Sequence, residues 1–137
     1  MGAIGSPIVV GYIDSPEGKA ALQRAVEEAG QRSARLIVIN SHKGGAALDK
    51  GTAIELDESL SEVHALLHDS GVEHEVRQLV RGEDPSDDLI AVAEEVDADL
   101  IVIGLRRRTP VGKLILGSNA QQVLLDATCP VLAVKAP

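Results

Sequence analysis

Four short runs of the chain are apolar without interruption: Ile8–Val10, Leu36–Ile39, Leu100–Ile103 and Val131–Val134. A strand with one wet face alternates polar and apolar residues, whereas a strand covered on both faces does not. These runs therefore predict strands of a parallel sheet held between layers of helices. A fifth stretch, Glu73–Val80, does alternate. His74, Val76, Gln78 and Val80 share one side, and Glu73, Glu75, Arg77 and Leu79 the other. That pattern predicts a half-exposed edge strand.

Helical spacing fills the gaps. Ala21, Leu22, Ala25, Val26 and Ala29 recur on one face, with Ser15-Pro16 as N-cap and first-turn residues. Leu56, Leu60, Val63 and Leu67 form a second stripe, ended by Gly71. Leu89, Val92, Ala93 and Val96 form a third, opened by Asp84-Pro85. Ala120, Val123, Leu124 and Ala127 form a fourth, stopped by Pro130. The order is β-α-β-α-β-α-β-α-β. With right-handed crossovers this is an α/β fold: a doubly wound, five-stranded, mostly parallel sheet of order 3-2-1-4-5, with helices on both faces. At 137 residues the expectation is one domain spanning positions 1–137. The loosest part is Ser41–Gly51, where Gly44-Gly45 marks a flexible point.

Composition narrows the function. There is no Phe or Trp and one Tyr, so the core must be aliphatic. The net charge of −8 argues against nucleic acid and anionic lipid as partners. No apolar run approaches the length of a membrane span, and one Cys allows no internal disulfide. The chain reads as cytoplasmic. Cys129 reads as a small packing residue. Asp57, His64 and His68 share a helical face, where a solvated flank accounts for them better than a metal does.

An open α/β sheet binds ligands beyond the carboxyl ends of its strands. Three segments lie there: Gly11-Tyr12-Ile13-Asp14-Ser15, Asn40-Ser41-His42-Lys43, and the stretch from Gly104 to Lys113. The last is basic in an acidic chain, with Arg106, Arg107, Arg108 and Lys113. It runs on to Gly117-Ser118-Asn119, which opens the fourth helix. A helix N-terminus offers unpaired N–H donors and partial positive charge, so an anion fits there. A solvated loop with Ser118 as a simple cap would use the same residues. Neither a Walker A loop nor a G-x-G-x-x-G fingerprint is present.

The loop resembles the signature of the universal stress protein family: Gly, two residues, Gly, nine residues, Gly, then Ser or Thr. Gly104, Gly117 and Ser118 occupy three of the four fixed positions. Lys113–Ser118, Cys129–Lys135 and Ser15–Leu22 are similar as well. The resemblance implies a stress-response regulatory protein that binds ATP or another adenine nucleotide, with Mg2+ as an optional companion. Gly11, Tyr12, Ile13 and Ser41 would line the adenosine pocket, and Ile103 and Gly104 would lie beneath the nucleoside. Arg106, Arg107, Gly117, Ser118 and Asn119 would surround the phosphates. Two positions depart from the pattern. Arg107 replaces the second Gly, and Ile13 stands where the ATP-binding branch has Asp, so adenosine recognition of that kind would require Asp14, one place later, to substitute. No general base is placed for hydrolysis, so enzymatic activity is at most weak.

The last strand, apolar on both faces, would lie at a sheet edge and invite pairing. The family resemblance implies a homodimer through Val131, Leu132, Ala133 and Val134, with an unidentified signalling partner. The alternative function is a dimeric interaction protein that binds no nucleotide. A receiver-type phosphorylated domain fits less well, because only Asp14 is available where such a domain needs an acidic pair.

Overall fold

Pro16 cannot donate a backbone hydrogen bond, and Ser15 before it accepts one from Gly18 N–H at 3.0 Å. The two start helix α1, Pro16–Arg32, as their types dictate. Ser33 ends it in the left-handed region, φ 52°, with its N–H returned to the carbonyls of Ala29 and Gly30. The computed structural model describes residues 5–13, 15–42, 50–80, 84–105 and 117–136. Its remaining elements are β1 (Gly5–Gly11), β2 (Ala34–His42), α2 (Lys50–Ser70), β3 (His74–Val80), α3 (Pro85–Glu95), β4 (Leu100–Leu105), α4 (Ser118–Asp126) and β5 (Val131–Lys135).

The five strands form one sheet of order β3-β2-β1-β4-β5, and every pairing is parallel. The unbroken apolar runs explain this. Alternate residues of β1 serve opposite layers: Ile8 and Val10 belong to the core under α1 and α2, and Val9 to the core under α3 and α4. The strand interiors are closed to water, from Ile8, Val9 and Val10 to Leu36, Ile37 and Val38. Burying each such side chain stabilises the fold by roughly 1.5–3 kcal/mol. No helix among the described residues is long and apolar enough to cross a membrane.

The boundaries refine the sequence reading. Helix α2 begins at Lys50, two turns before the apolar stripe at Leu56. Val96 and Ala127 close their stripes as C-caps rather than helical residues. Cys129 is half-buried against the core under α3 and α4, and burial pushes its thiol up from the ordinary value.

The two sheet edges differ in character. On the β3 side, Glu75 binds Arg77 and also Arg35 of β2, and Arg77 reaches Glu95. The hydrogen bond that Arg77 donates to Glu75 raises the guanidinium pKa from its ordinary value. Fixed charges of this kind oppose edge-to-edge pairing. Strand β5 pairs with β4 on one side only, and Val131, Leu132, Ala133 and Val134 are all partly exposed.

Candidate functional site

The start of each βα connection decides where the site forms. Tyr12 N–H donates to Ile39 carbonyl at 2.9 Å, and Ser15 N–H to Ile13 carbonyl at 2.9 Å. Buried Asn40 adds a bond from Nδ2 to Tyr12 carbonyl at 3.4 Å. The turn after β1 is thus fastened to β2, and the N-terminus of α1 stands directly over the carboxyl end of the sheet. Gly18 makes that approach possible: a Cβ there would lie 2.9 Å from the Ile13 carbonyl carbon, and closer still to its oxygen.

Gly104 has the same kind of duty at the end of β4. A Cβ on it would stand 2.6 Å from the Glu17 carbonyl carbon. Its bareness admits the first turn of α1 against the strand. The first glycine of the loop signature is therefore a packing glycine. Gly117 is different. It is the N-cap of α4 at φ −67°, and nothing among the described residues lies within 4 Å of where its Cβ would be. Neither the backbone angle nor the packing of the described residues demands a glycine there.

A cavity of about 160 Å³ opens between these elements. Its floor is Gly11, Ile39, Ile103 and Gly104, from the carboxyl ends of β1, β2 and β4. Ile13, Glu17 and Gly18 close one side; Pro85, Ser86 and Leu89 of α3 close the second; Asn119, Ala120 and Val123 of α4 close the third. Tyr12 also lines it, but its ring is buried with Leu22 and Val63 in the opposite core, so it offers the cavity mainly backbone. The lining is mostly apolar, with Glu17, Ser86 and Asn119 as polar side chains. Three helix N-termini converge on the space, and their partial positive charge favours an anionic or electron-rich ligand. Pockets that engulf a whole ligand run from about 300 Å³ upward, so this one suits a single ring with the remainder of the ligand outside.

Gly11, Tyr12, Ile13, Ile103, Gly104 and Asn119 thus come together around one cavity. Ser41 lies in β2 opposite Leu79, and its side chain is outside the described part of the structure. Ser118 is the first residue of α4, next to Gly117. Asp14, Arg106 and Arg107 lie outside the described residues. Ile13 is 47% exposed at the cavity rim, an apolar side chain held in water. The sequence reading missed Glu17, Gly18 and the whole α3 wall. The signal for that wall was Asp84-Pro85 combined with the crossover rule. The chain leaves β3 at one edge and must return across β2 and β1 to reach β4, which carries the start of α3 over the sheet end.

Comparison with known proteins agrees with this architecture. A profile described as "Universal stress protein family" matches residues 6–135. A universal stress protein of Mycolicibacterium smegmatis is 48% identical over 128 residues, covering 93% of this chain and 96% of that protein. The solved universal stress protein of Archaeoglobus fulgidus superposes with a TM-score of 0.83 at 42% identity, covering 96% of this chain and all of the other. A structure of the universal stress protein from the same organism in complex with dAMP gives a TM-score of 0.79 at 37% identity, covering 97% and 100%.

Proposed function

The chain belongs to the universal stress protein family, and from that premise we propose that it is a regulatory protein that binds an adenine nucleotide, ATP foremost, in the cavity at the carboxyl ends of β1 and β4. The observation that carries this reading is the contrast at the end of the loop. An apolar cavity leads to a helix N-terminus whose N-cap glycine has no described residue within 4 Å of where a Cβ would be. A ring fits the apolar floor, and phosphates fit the N–H groups that a helix N-terminus presents at Gly117-Ser118. Ile13 supports the same pose, because covering its exposed side chain with a ring is favourable by about 1 kcal/mol or more. The dAMP complex of the relative supports the ligand class. Arg106 and Arg107 would neutralise phosphate charge, and Mg2+ would accompany a triphosphate.

Thermal denaturation with and without nucleotide tests this. Ligand at a hundred times its Kd stabilises the native state by roughly 2.7 kcal/mol, a rise of several degrees in Tm. AMP, ATP and ATP with Mg2+ should each produce it. No rise with any of the three at millimolar concentration would refute nucleotide binding and leave the interaction-protein reading.

The second proposal concerns assembly. Among the described residues strand β5 pairs on one side only and carries no charged ladder like that of β3, so a second copy of the chain is its expected partner through Val131, Leu132, Ala133 and Val134. Sedimentation equilibrium should return twice the chain mass. A monomer mass at micromolar concentration would remove this assignment.

A further inference from the structure

Four polar side chains join α3 to α4 along one wall of the cavity. Gln122 Nε2 donates to Asp87 Oδ1 at 2.7 Å. Ser86 Oγ lies 3.0 Å from Gln122 Oε1 and 3.1 Å from Asn119 Oδ1. Ser86 is 1% exposed, so its hydroxyl needs partners inside the protein, and among the described residues Gln122 and Asn119 supply them. Asp87 is at the solvent end, and Ser86 and Asn119 both line the cavity.

Proton counting fixes the direction of the chain. A carboxylate only accepts, so Asp87 holds the NH2 end of Gln122 and leaves Gln122 Oε1 toward Ser86. The hydroxyl has one proton, which goes to that oxygen. It cannot also be given to Asn119 Oδ1. Two acceptor oxygens 3.1 Å apart with no proton between them repel. The two ends of an amide exchange by a half-turn, and the contact becomes a hydrogen bond when Asn119 presents its NH2 to Ser86.

We propose that this relay, Asp87–Gln122–Ser86–Asn119, holds Asn119 with its Oδ1 toward the cavity and makes it a specificity-determining acceptor. It would select a ligand with an N–H or O–H donor at that point: the exocyclic amine of adenine or the ribose 2′-hydroxyl. An oxo group or a phosphate oxygen there would meet another acceptor. The inference rests on the nucleotide reading and departs from it in one respect, since Asn119 then recognises the nucleoside rather than the phosphates. Ser86, Gln122 and Asp87 act through Asn119 and are positioning residues.

Calorimetric titration of AMP, IMP and dAMP into the parent, Ser86→Ala and Asp87→Asn tests it. IMP replaces the amine with an oxo group, and dAMP lacks the 2′-hydroxyl. Asn119 is exposed in the free protein, so the bound ligand itself covers its Oδ1, and the parent should bind AMP at least about tenfold more tightly than one of the two analogues, the cost of an acceptor that the ligand covers without offering a donor. Loss with IMP identifies the amine, and loss with dAMP the hydroxyl. In Ser86→Ala, Asn119 is released to turn, and the preference should fall below about threefold. Asp87→Asn lets Gln122 invert and should erode or reverse the preference without touching the core. The relay is wrong if the parent discriminates against neither analogue, or if both variants keep the parent's preference. A parent that binds none of the three overturns the nucleotide reading and the relay with it.

Discussion

Gly104→Ala is expected to destabilise the folded chain by more than about 3 kcal/mol, a large part of the roughly 5–15 kcal/mol that holds a domain together. Two effects compete. Alanine restricts the unfolded chain and would by that route stabilise by at most about 1 kcal/mol. Against it stands a methyl 2.6 Å from the Glu17 carbonyl carbon. That neighbour is backbone in the first turn of α1, so no side-chain rotation can relieve the clash. Either α1 lifts from β4, where its packing is extensive, or β4 shifts out of register with β1. The clash wins. Gly117→Ala provides the internal comparison, with φ −67° and no described neighbour within 4 Å. Its denaturation midpoint should equal or slightly exceed the parent's. Chemical denaturation of both variants decides the matter, and equal midpoints for Gly104→Ala and the parent would show that α1 does not seat on β4 as described.

Ser118→Glu should lower the affinity for AMP or ATP at least about 100-fold while leaving the fold as stable as before or slightly more so. The opposite signs follow from one cause. Ser118 is the first residue of α4, where the unpaired N–H groups and the helix dipole welcome negative charge. A carboxylate there stabilises the helix by about 0.3–1 kcal/mol. A ligand phosphate seeks the same N–H groups and would meet the carboxylate at close range, where like charges about 4 Å apart cost about 4 kcal/mol at a partly screened site. Adenosine has no phosphate, so its affinity should be unchanged. That separation is the informative result. Equal losses for adenosine and AMP would mean that the variant had disturbed the cavity, and no loss for either would place the phosphates elsewhere.

The fold was legible because each strand carries its burial in its own letters. Ile8-Val9-Val10 and Leu100–Ile103 have no polar side to offer water, so a parallel, doubly covered sheet was the consistent solution. The edge position of β3 was legible in its alternation. The cavity was legible at the strand ends, where Gly11, Ile13, Ile103 and Gly104 meet around it. The role of Gly104 was not. A glycine in a signature loop invites a ligand explanation, and only the position of α1 reveals that a helix backbone takes the space. The α3 wall was hidden for a related reason. Pro85 and Ser86 follow an edge strand in sequence, far from the switch point, and the crossover alone brings them to Asn119. Sequence distance carries no trace of that meeting.

On the proposed reading an adenine ring enters the cavity at the carboxyl ends of β1 and β4. Methyl NMR of isoleucine-labelled protein titrated with AMP tests it most directly, because the chain has no Phe or Trp and one Tyr to produce ring-current shifts of its own. Ile13, Ile39 and Ile103 line the cavity, whereas Ile8 and Ile37 are buried away from its lining. The expected result is a saturable shift of the Ile13, Ile39 and Ile103 methyls with Ile8 and Ile37 unmoved. No shift at millimolar AMP, or shifts at Ile8 and Ile37 with the cavity methyls silent, would contradict it.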